Sequence, residues 1–571
     1  MSNKTMSGAQ ALIESLQRQG VEYIFGYPGG ANMPILDALL DSPIELVLVR
    51  HEQGATHMAD GYARATGRAG VVLVTSGPGA TNTITGIMTA QMDSVPIVVI
   101  CAQTITANLG LDAFQEADVS GISFPIVKHS YLIKDANDIP RIVQESFYLS
   151  ETGRPGPVLI DIPKDISVTD MVPNFEEEMD LPGYTIPHQG NSADISKAAE
   201  ALSKAKKPLI LAGHGILISG AEKEIKFLAE KLQIPVVSTL LGKGGFDEFH
   251  DLSLGMLGMH GTAYANFAVN DCDLIMSVGS RWDDRILGDP DVFCEGAFKI
   301  HVDIDLAEKD KMIRPDIFLH GDAKAILEEL NTQLTAGDTD KWVKQCHAWR
   351  KKYPLKYSKQ GGLKSGHVLD VLNDLIQGDA IITTDVGQHQ MWAAQYLLCK
   401  NSNAFLSSGG AGTMGYGFPA AIGAQLACPD KTVISVVGDG GFQMTMCEMS
   451  TAMLQKTPIK ILILDNKYLG MVRQWQDLFF DGRYSGVDFE GSPDFVKFAQ
   501  CYGAKGFRIR RKGDVERVLK EALAWNETPC VIWAEVELEE NVFPMIPSGQ
   551  SYDSMILERP KEAMAPPPGS T

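Results

Sequence analysis

Short runs of β-branched and aliphatic residues alternate along most of the chain with longer stretches of mixed apolar and polar residues. Early examples of the apolar runs are ELVLVR, GVVLVTS and PIVVICA, and the stretch ATHMADGYARATG between the first two has helical character. Apolar runs of this length, bounded by turn residues and separated by helices, are typical of buried strands in parallel sheets. The pattern predicts an α/β fold made of doubly wound parallel sheets.

Two stretches that are poor in apolar residues divide the chain into three α/β blocks. One is VTDMVPNFEEEMDLPGYTIPHQGNSAD, which is rich in proline, glycine and acidic residues, and the other is a charged, weakly structured stretch near 335–365. Proline and glycine clusters mark linkers. We therefore expect domains at residues 1–170, 190–335 and 365–540, followed by a C-terminal tail at 541–571.

The first and third blocks share one order of features. LVTSGPGATNTITGIMTAQMDSVPIVVICAQ and SVVGDGGFQMTMCEMSTAMLQKTPIKILILDN both run from a strand through a glycine-rich turn and a helix to a proline and a second strand. Any two βαβ units have some likeness of this kind, but the match favours two diverged copies. Pro78 stands in the first block where the third has Asp439.

Charge and cysteine usage exclude several classes of function. The formal net charge is −21, whereas binding to nucleic acid or to an anionic membrane needs a basic face. The apolar runs are far shorter than the roughly 20 residues that span a bilayer. The nine cysteines are scattered without C-x-x-C spacing, which is typical of reduced thiols. We expect a cytoplasmic protein that binds neither membranes nor nucleic acid.

The stretch SVVGDGGFQM places the carboxylate of Asp439 between glycines at the end of a strand. Such turns usually receive phosphate groups, which a carboxylate would repel unless a cation lay between them. Asn466 ends the next strand, and the carboxyl ends of neighbouring parallel strands meet at one edge of a sheet. One carboxylate and one amide oxygen suit Mg²⁺ that is completed by phosphate oxygens. The alternative for the GDGG stretch alone is a simple βα turn.

GDG followed after twenty-odd residues by Asn resembles the signature of thiamine diphosphate enzymes. The resemblance implies three α/β domains, which bind the pyrimidine ring, form a dinucleotide-type centre and bind the diphosphate. It implies that Mg²⁺ is held by Asp439, Asn466 and the backbone carbonyl of Tyr468. The residues that the resemblance assigns to the rest of the coenzyme are Gly387, Gln388, His389, Met414, Gly438, Gly440 and Gly441.

Glu52, in VRHEQGATHMADGYAR, is the catalytic carboxylate that the same resemblance implies. Judged alone, a glutamate after a strand is more often solvated or a helix cap. In this family it exchanges a proton with the pyrimidine ring, and a setting rich in glycine and alanine is expected to favour its neutral form. Because such sites lie between two subunits, the resemblance implies a homodimer or tetramer.

Further stretches narrow the resemblance to the catalytic subunits of the acetolactate synthase family. They are FGYPGGANMPILDAL, TSGPGATNTITGI, DAFQEAD, GRPGPVLIDIPKD, MLGMHGTAYAN, SRWDDRILG and LGMVRQWQDLFF. The implied reaction is decarboxylation of pyruvate on thiamine diphosphate and condensation of the resulting hydroxyethyl enamine with a second 2-oxo acid, pyruvate or 2-oxobutanoate. The products would be 2-acetolactate or 2-aceto-2-hydroxybutanoate, for valine, leucine and isoleucine biosynthesis. A small regulatory subunit is a possible partner.

The motif matches imply a set of substrate-binding residues, namely Gly29, Gly30, Phe114, Gln115, Lys164, Arg285, Trp475 and Ser548. Arg285 is the candidate for the acceptor carboxylate, because a guanidinium binds a carboxylate in bidentate geometry. Trp475 would shape the acceptor site for a longer 2-oxo acid. Read alone, Arg285 would pair with Asp283 or Asp284 at the surface, and Trp475 would be a packing residue.

The middle block raises the question of a flavin. LAGHGILISGA and HVDIDLAE suggest a dinucleotide-type fold, but the signal is weak by itself. FAD, in a largely structural role, is implied only by the resemblance. The residues that would surround it are Gly213, Gly215, Met256, His260, Gly261, Thr262, Arg281, Asp303, Asp305 and Asp322.

Three alternatives stay open at this point. A pyruvate oxidase would share Glu52 and Asp439 but use FAD for electron transfer, and a catabolic acetolactate synthase would share the reaction. A non-catalytic cofactor-binding scaffold is the distant alternative. It predicts loss of the metal or acid residues, yet Glu52, Asp439 and Asn466 are all present.

Overall fold

The computed structural model describes residues 5–335 and 337–560. Three six-stranded sheets, each wholly parallel and flanked by helices, account for most of it. The predicted α/β class with three doubly wound sheets is therefore confirmed. Of the predicted tail at 541–571, residues 561–571 lie outside the described residues, as do residues 1–4 of the first predicted domain. The domain limits themselves stay predictions.

The first sheet belongs to the N-terminal block and has the strand order β3-β2-β4-β5-β7-β6. A short antiparallel pair, β1 with β8, joins the two ends of this block. The strands are β1 (Met6–Ser7), β2 (Tyr23–Gly26), β3 (Glu45–Leu48), β4 (Gly70–Val74), β5 (Ile97–Gln103), β6 (His129–Leu132), β7 (Val158–Pro163) and β8 (Asp170–Met171). The helices are α1 (Gly8–Arg18), α2 (Met33–Leu39), α3 (Glu52–Thr66), α4 (Pro78–Thr81), α5 (Ile84–Asp93), α6 (Val119–Ser123), α7 (Ile139–Glu151) and α8 (Lys164–Val168).

The second sheet forms the central block in the order β11-β10-β9-β12-β13-β14. Counted within the block this is the order 3-2-1-4-5-6 of dinucleotide-binding folds. The strands are β9 (Pro208–Ala212), β10 (Val236–Ser238), β11 (Ser253–Met256), β12 (Leu274–Val278), β13 (Phe298–Asp303) and β14 (Ile317–His320). The helices are α9 (Ser192–Lys204), α10 (His214–Ser219), α11 (Glu222–Leu232), α12 (Ala263–Asp271), α13 (Asp284–Leu287), α14 (Ala323–Gln333) and α15 (Asp340–Lys352).

The third sheet, in the C-terminal block, has the order β16-β15-β17-β18-β20-β19. Its strands are β15 (Ile381–Thr384), β16 (Phe405–Ser407), β17 (Val433–Gly438), β18 (Lys460–Asp465), β19 (Lys505–Ile509) and β20 (Cys530–Glu535). Its helices are α16 (Ser365–Ile376), α17 (Gln388–Tyr396), α18 (Gly417–Ala427), α19 (Asp439–Thr445), α20 (Met449–Leu454), α21 (Gly470–Phe479), α22 (Phe495–Cys501) and α23 (Val515–Leu523).

The first and third sheets have the same connectivity. Leaving out the short pair β1 and β8, each runs 2-1-3-4-6-5 in its own strand numbering. The two glycine-rich turns that the sequence aligned, before α4 and before α19, follow the third strand of each block. This shared topology is what two diverged copies of one unit would retain.

Helices α3 and α18 occupy corresponding places in the first and third blocks and pack directly against each other. Their contact is part of one core that continues between the first and third sheets, with Met58 and Phe418 fully buried. The backbones approach so closely that a Cβ on Gly61 would lie 2.1 Å from the carbonyl oxygen of Ala420. Only glycine fits there. The packing ties the N-terminal block of the chain to its C-terminal block.

The charged stretch near 335–365 is more ordered than the prediction of a weakly structured segment allowed. Helix α15 occupies part of it, and the indole Nε1 of buried Trp342 donates a hydrogen bond to the carbonyl oxygen of Pro208 at 2.9 Å. The prediction was wrong here because the apolar positions of α15 are few, and a single large side chain anchors the helix. Across the described ranges, no helix has both the length and the apolar character needed to cross a bilayer.

Candidate active site

Strands β17 and β18 pair in parallel, with Gly438 beside Leu464. The pairing brings Asp439 and Asn466, which follow the two strands, to the same edge of the sheet. A small cavity opens at this edge. It is lined by all the residues predicted for the diphosphate and metal, namely Gly387, Gln388, His389, Met414, Gly438, Asp439, Gly440, Gly441, Asn466 and Tyr468.

Asp439 is buried, and its Oδ2 atom has no hydrogen-bond partner among the described residues. Burial and the neighbouring carboxylate of Asp465 raise the pKa of Asp439 to about 8. A buried carboxylate in this condition is stabilised most directly by a cation. The donor set at this edge of the sheet therefore fits a hard divalent metal.

Asn466 supplies an amide next to this carboxylate. Its Nδ2 donates to Oε1 of Gln388 at 3.0 Å, and its Oδ1 accepts from the backbone N–H of Tyr468 at 3.2 Å. The amide oxygen thus lies on the side of the 466–468 loop, and the amide nitrogen points away from it. Oxygen ligands are those that Mg²⁺ prefers.

A steric reason explains why the second residue after Asp439, Gly441, is a glycine. A Cβ on Gly441 would lie 2.4 Å from Oδ2 of Asp385, whose carboxylate accepts the backbone N–H of Gly415 at 2.9 and 3.0 Å. Burial raises the pKa of Asp385 to about 7. This carboxylate therefore lies between the first turn of α19 and the loop that carries Met414.

His389 is buried at the start of α17. Burial lowers the pKa of His389 to about 3, so the ring is neutral at physiological pH. Its Nε2 atom has no partner within the described part of the chain. A neutral imidazole with one free nitrogen can donate or accept a single hydrogen bond to a ligand.

Glu52 is the first residue of α3 and is half-buried. Its Oε2 accepts a hydrogen bond from Nδ2 of Asn82 at 3.0 Å, and a Cβ on Gly79 would lie 3.4 Å from its Oε1. Glu52 therefore faces the glycine-rich turn of its own block. It is not among the described residues that line the cavity at Asp439 or the larger cleft described below.

The other residues predicted in the N-terminal block lie around the same sheet edge. Gly29 follows β2, and a Cβ on it would lie 2.5 Å from the side chain of Thr75; nothing lies within 4 Å of such an atom on Gly30. Gln115 has a φ of 56°, and its backbone lies against Gly77. Phe114 is 88% exposed, and Lys164 is half-buried at the start of α8.

A cleft of about 880 Å³ lies between the central sheet and the two outer blocks. This volume is in the range of pockets that hold cofactors. Of the predicted flavin residues, those that line it are Gly215, Met256, His260, Arg281, Asp303 and Asp322. The cleft shares Val386, Gly387, Met414, Met471 and Val472 with the small cavity, so the two spaces adjoin.

Four predicted flavin residues lie outside the lining of this cleft. A Cβ on Gly213 would lie 2.2 Å from the carbonyl oxygen of Gly279, so this glycine serves the packing of two strand ends. The Thr262 hydroxyl donates to the carbonyl oxygen of Leu254, and Gly261 lies in the tight turn before it. Asp305 pairs with Arg154 at 2.9 Å. Each of the four has a structural partner that the sequence pattern did not reveal.

The predicted acceptor residues Arg285 and Trp475 both line the cleft. The Arg285 side chain is 61% exposed, and its nearest carboxylate, Asp284, is 3.6 Å away. Trp475 packs on Phe479, with ring centroids 5.3 Å apart. Ser548 is half-buried and does not line the cleft among the described residues.

Several side chains that sequence reasoning missed hold these groups in place. Glu448 accepts the N–H groups of Arg50 and His51 just before Glu52, and Asn82 contacts Glu52 itself. Asp385 accepts the N–H of Gly415, the residue after Met414. Gln474 accepts a hydrogen bond from Gln388, which in turn accepts one from Asn466. Asn82 and Glu448 lie inside quoted motifs and could have been suspected from them.

All three blocks of the chain match domain families of the thiamine pyrophosphate enzymes. The match covers the N-terminal TPP binding domain at residues 6–122, the central domain at 195–330 and the C-terminal TPP binding domain at 385–534. Thiamine pyrophosphate is another name for thiamine diphosphate. The class that the fold and the strand-end site define is therefore that of enzymes which bind this coenzyme.

Similar proteins of full length narrow this class. The acetolactate synthase large subunit of Parasynechococcus marenigrum (strain WH8102) is 46% identical, with 97% of this chain and 91% of that protein covered. The acetolactate synthase large subunit of Haemophilus influenzae is 44% identical over 98% and 99% of the two chains. The acetolactate synthase isozyme 3 large subunit of Escherichia coli (strain K12) is 43% identical over 97% and 99%.

The chain belongs to the acetolactate synthase large subunits within the thiamine pyrophosphate enzyme family. The predicted family, the enzyme class and the acetolactate synthase function are confirmed by these matches, as is the binding of thiamine diphosphate.

Proposed function

We propose that the chain decarboxylates pyruvate and joins the remaining two-carbon unit to a second 2-oxo acid, either pyruvate or 2-oxobutanoate. The products are 2-acetolactate and 2-aceto-2-hydroxybutanoate, precursors of the branched-chain amino acids. The observation that carries this proposal is that Oδ2 of buried Asp439, beside Asn466 at the strand ends, has no hydrogen-bond partner among the described residues. The full-length relatives of this chain bear the acetolactate synthase name.

Mg²⁺ and the diphosphate of the coenzyme are assigned to the small cavity. Asp439, the amide oxygen of Asn466 and the carbonyl of Tyr468 would hold the metal, and the backbone around Gly387 and His389 would meet the diphosphate. The coenzyme supplies a ring carbon that becomes a nucleophile after it loses a proton. Because Asp439 and Asn466 are buried, the low local dielectric would strengthen the attraction between the cation and its ligands.

Glu52 is assigned the proton exchange with the coenzyme. Because Glu52 lines neither cavity among the described residues of one chain, we infer that a second copy brings its own Glu52 to the site. Apolar side chains that one chain leaves exposed support this arrangement. Phe114 is 88% exposed, and Met444, on the helix that begins with Asp439, is 59% exposed. A homodimer is thus the smallest active unit, and a tetramer is two such dimers.

The cleft is assigned to the acceptor acid and to FAD. Arg285 offers a largely exposed guanidinium whose nearest carboxylate, that of Asp284, is 3.6 Å away, and Trp475 lines the same cleft. The central sheet has the strand order of dinucleotide-binding folds, which supports FAD there. Since acetolactate formation involves no net redox step, FAD would have a structural role.

A partner and a compartment complete the proposal. The relatives are named large subunits, and we infer that a small regulatory subunit binds this chain as well. The nine cysteines are free thiols, which supports a reducing compartment such as the cytoplasm.

The test is an assay of the purified chain with pyruvate, thiamine diphosphate and Mg²⁺, with and without FAD and 2-oxobutanoate. Acetolactate, and a second product when 2-oxobutanoate is present, is the expected result. Removal of Mg²⁺ by chelation should abolish the activity, and adding it back should restore it. Acetate accompanied by reduced flavin would overturn the proposal in favour of a pyruvate oxidase.

A further inference from the structure

Three buried side-chain amides lie in a row between the proposed metal site and the segment 540–542. Nδ2 of Asn466 donates to Oε1 of Gln388 at 3.0 Å, and Nε2 of Gln388 donates to Oε1 of Gln474 at 2.9 Å. Nε2 of Gln388 also donates to the carbonyl oxygen of Glu540 at 2.9 Å. We call these three amides the amide relay. All three side chains belong to residues that are less than a tenth exposed.

The far end of the relay is held by backbone groups. Nε2 of Gln474 donates to the carbonyl oxygen of Val542 at 3.1 Å, and Oε1 of Gln474 accepts the N–H of Val542 at 2.7 Å. A carbonyl oxygen can only accept a hydrogen bond, and an N–H can only donate one. The backbone of 540–542 therefore admits one orientation of the Gln474 amide and one of the Gln388 amide.

This polarity passes along the relay to Asn466. Because Nε2 of Gln388 is fixed on the side of Glu540 and Gln474, its Oε1 faces Asn466 and requires a donor there. The donor is Nδ2 of Asn466, which leaves Oδ1 on the side of the 466–468 loop. The reversed amide would oppose two oxygen atoms at Gln388 and offer an N–H group to a cation.

We propose that Gln388 and Gln474 are positioning residues, which keep the amide oxygen of Asn466 turned toward the divalent cation. Their orientation is set by the backbone of residues 540–542, far from Asn466 along the chain. The inference rests on the proposed function, since it concerns the same metal. It also assigns the side chain of Gln388 to the amide relay instead of to the diphosphate, because both Nε2 and Oε1 of Gln388 already have hydrogen-bond partners in the relay.

The first test is the variant Gln474→Met, which removes the amide but keeps an unbranched side chain of similar size. The measured quantity is the Mg²⁺ concentration that half-saturates thiamine diphosphate binding, determined by equilibrium dialysis. We expect a rise of roughly tenfold, the lower end of what outer partners of metal ligands contribute. Gln476→Met is the matched control. Gln476 lies on the same helix and also holds a loop, through Ser485, but its hydrogen bonds in the described part of the chain do not reach Asn466.

The second test separates orientation from general packing. Asn466→Asp replaces the ligand with a carboxylate, whose two oxygen atoms are alike, so there is no amide left to orient. In this background Gln474→Met should change the Mg²⁺ requirement less than about twofold, or even lower it, since Gln388 becomes freer to turn a donor toward the carboxylate. An equal loss in both backgrounds would overturn the proposal.

The outcomes also distinguish this proposal from the proposed function. If the wild-type chain binds thiamine diphosphate without any need for Mg²⁺, the proposed metal site fails. If the wild type needs Mg²⁺ and Gln474→Met has the same requirement, the relay fails alone. Should Gln474→Met not fold, Gln388→Met removes the amide that accepts from Nδ2 of Asn466 and keeps an unbranched side chain of similar size. The same rise in Mg²⁺ requirement is expected at neutral pH, and its absence would refute the relay.

Discussion

Glu448 ties the C-terminal block to the helix that begins with Glu52. It is fully buried, and its Oε1 accepts the backbone N–H groups of Arg50 at 3.0 Å and His51 at 2.9 Å. Its Oε2 accepts the hydroxyl of Thr451 at 2.6 Å. These bonds hold the chain immediately before α3, so replacement of Glu448 should disturb both stability and the position of Glu52.

The magnitude follows from the donors that lose a partner. Glu448→Ala leaves two partly buried backbone N–H groups without their acceptor, and an unpaired buried donor costs about 1–3 kcal/mol, less where water reaches it. The expected loss in the free energy of unfolding is therefore about 1–4 kcal/mol. Glu448→Gln keeps one acceptor oxygen and exchanges charge-assisted bonds for neutral ones, a loss of about 1–2 kcal/mol. A shift of Glu52 by about 1 Å would lower turnover roughly 100-fold.

Urea unfolding followed by tryptophan fluorescence, together with steady-state kinetics on pyruvate, measures both effects. We expect Glu448→Ala to be the least stable, Glu448→Gln to be intermediate and the wild type to be the most stable. The loss in kcat should exceed the change in KM. Glu521→Gln is the control, since Glu521 is exposed and, within the described ranges, pairs only with Arg517 on its own helix. Its stability should stay within about 0.5 kcal/mol of wild type. If Glu448→Ala unfolds at the wild-type urea concentration and turns over normally, the anchoring argument is wrong.

Three further predictions follow from the site. Glu52→Gln should bind thiamine diphosphate in dialysis yet lose at least about 100-fold in kcat, because it cannot exchange the proton; normal turnover would remove Glu52 from the chemistry. Trp475→Leu should lower the preference for 2-oxobutanoate over pyruvate in product ratios by about 10-fold or more, and an unchanged ratio would reduce Trp475 to packing. Burial and, to a smaller extent, the charge of Arg64 lower the pKa of His57 to about 3. Below about pH 6.5 the unfolded chain therefore protonates His57 while the folded chain keeps it neutral, so stability falls as the pH falls. The loss accrues over the roughly 1.5 pH units from 6.5 to 5 and amounts to about 2 kcal/mol at about 1.4 kcal/mol per unit. Between pH 7.5 and 5 the urea midpoint of His57→Phe should decline less steeply than that of the wild type, and parallel profiles would contradict the assignment.

The sequence alone determined the features that depend on neighbours along the chain. The spacing of apolar runs predicted the strands. The rule that neighbouring parallel strands end at one sheet edge predicted that Asp439 and Asn466 lie close together. The glycine turns and the proline marked the repeated unit, because turn residues act through local backbone geometry. The resemblance of the motifs supplied the family.

Which distant groups face each other became visible only in the folded chain. Glu448 reaches Arg50 from the other end of the chain, and Gln474 meets Val542, which lies 68 positions further along the sequence. Gly213 lies close against Gly279, and Asp305 pairs with Arg154. Hydrophobic periodicity records whether a side chain is buried, but not its partner. The partner depends on sheet order and on the packing of one block against another, which local pattern does not encode.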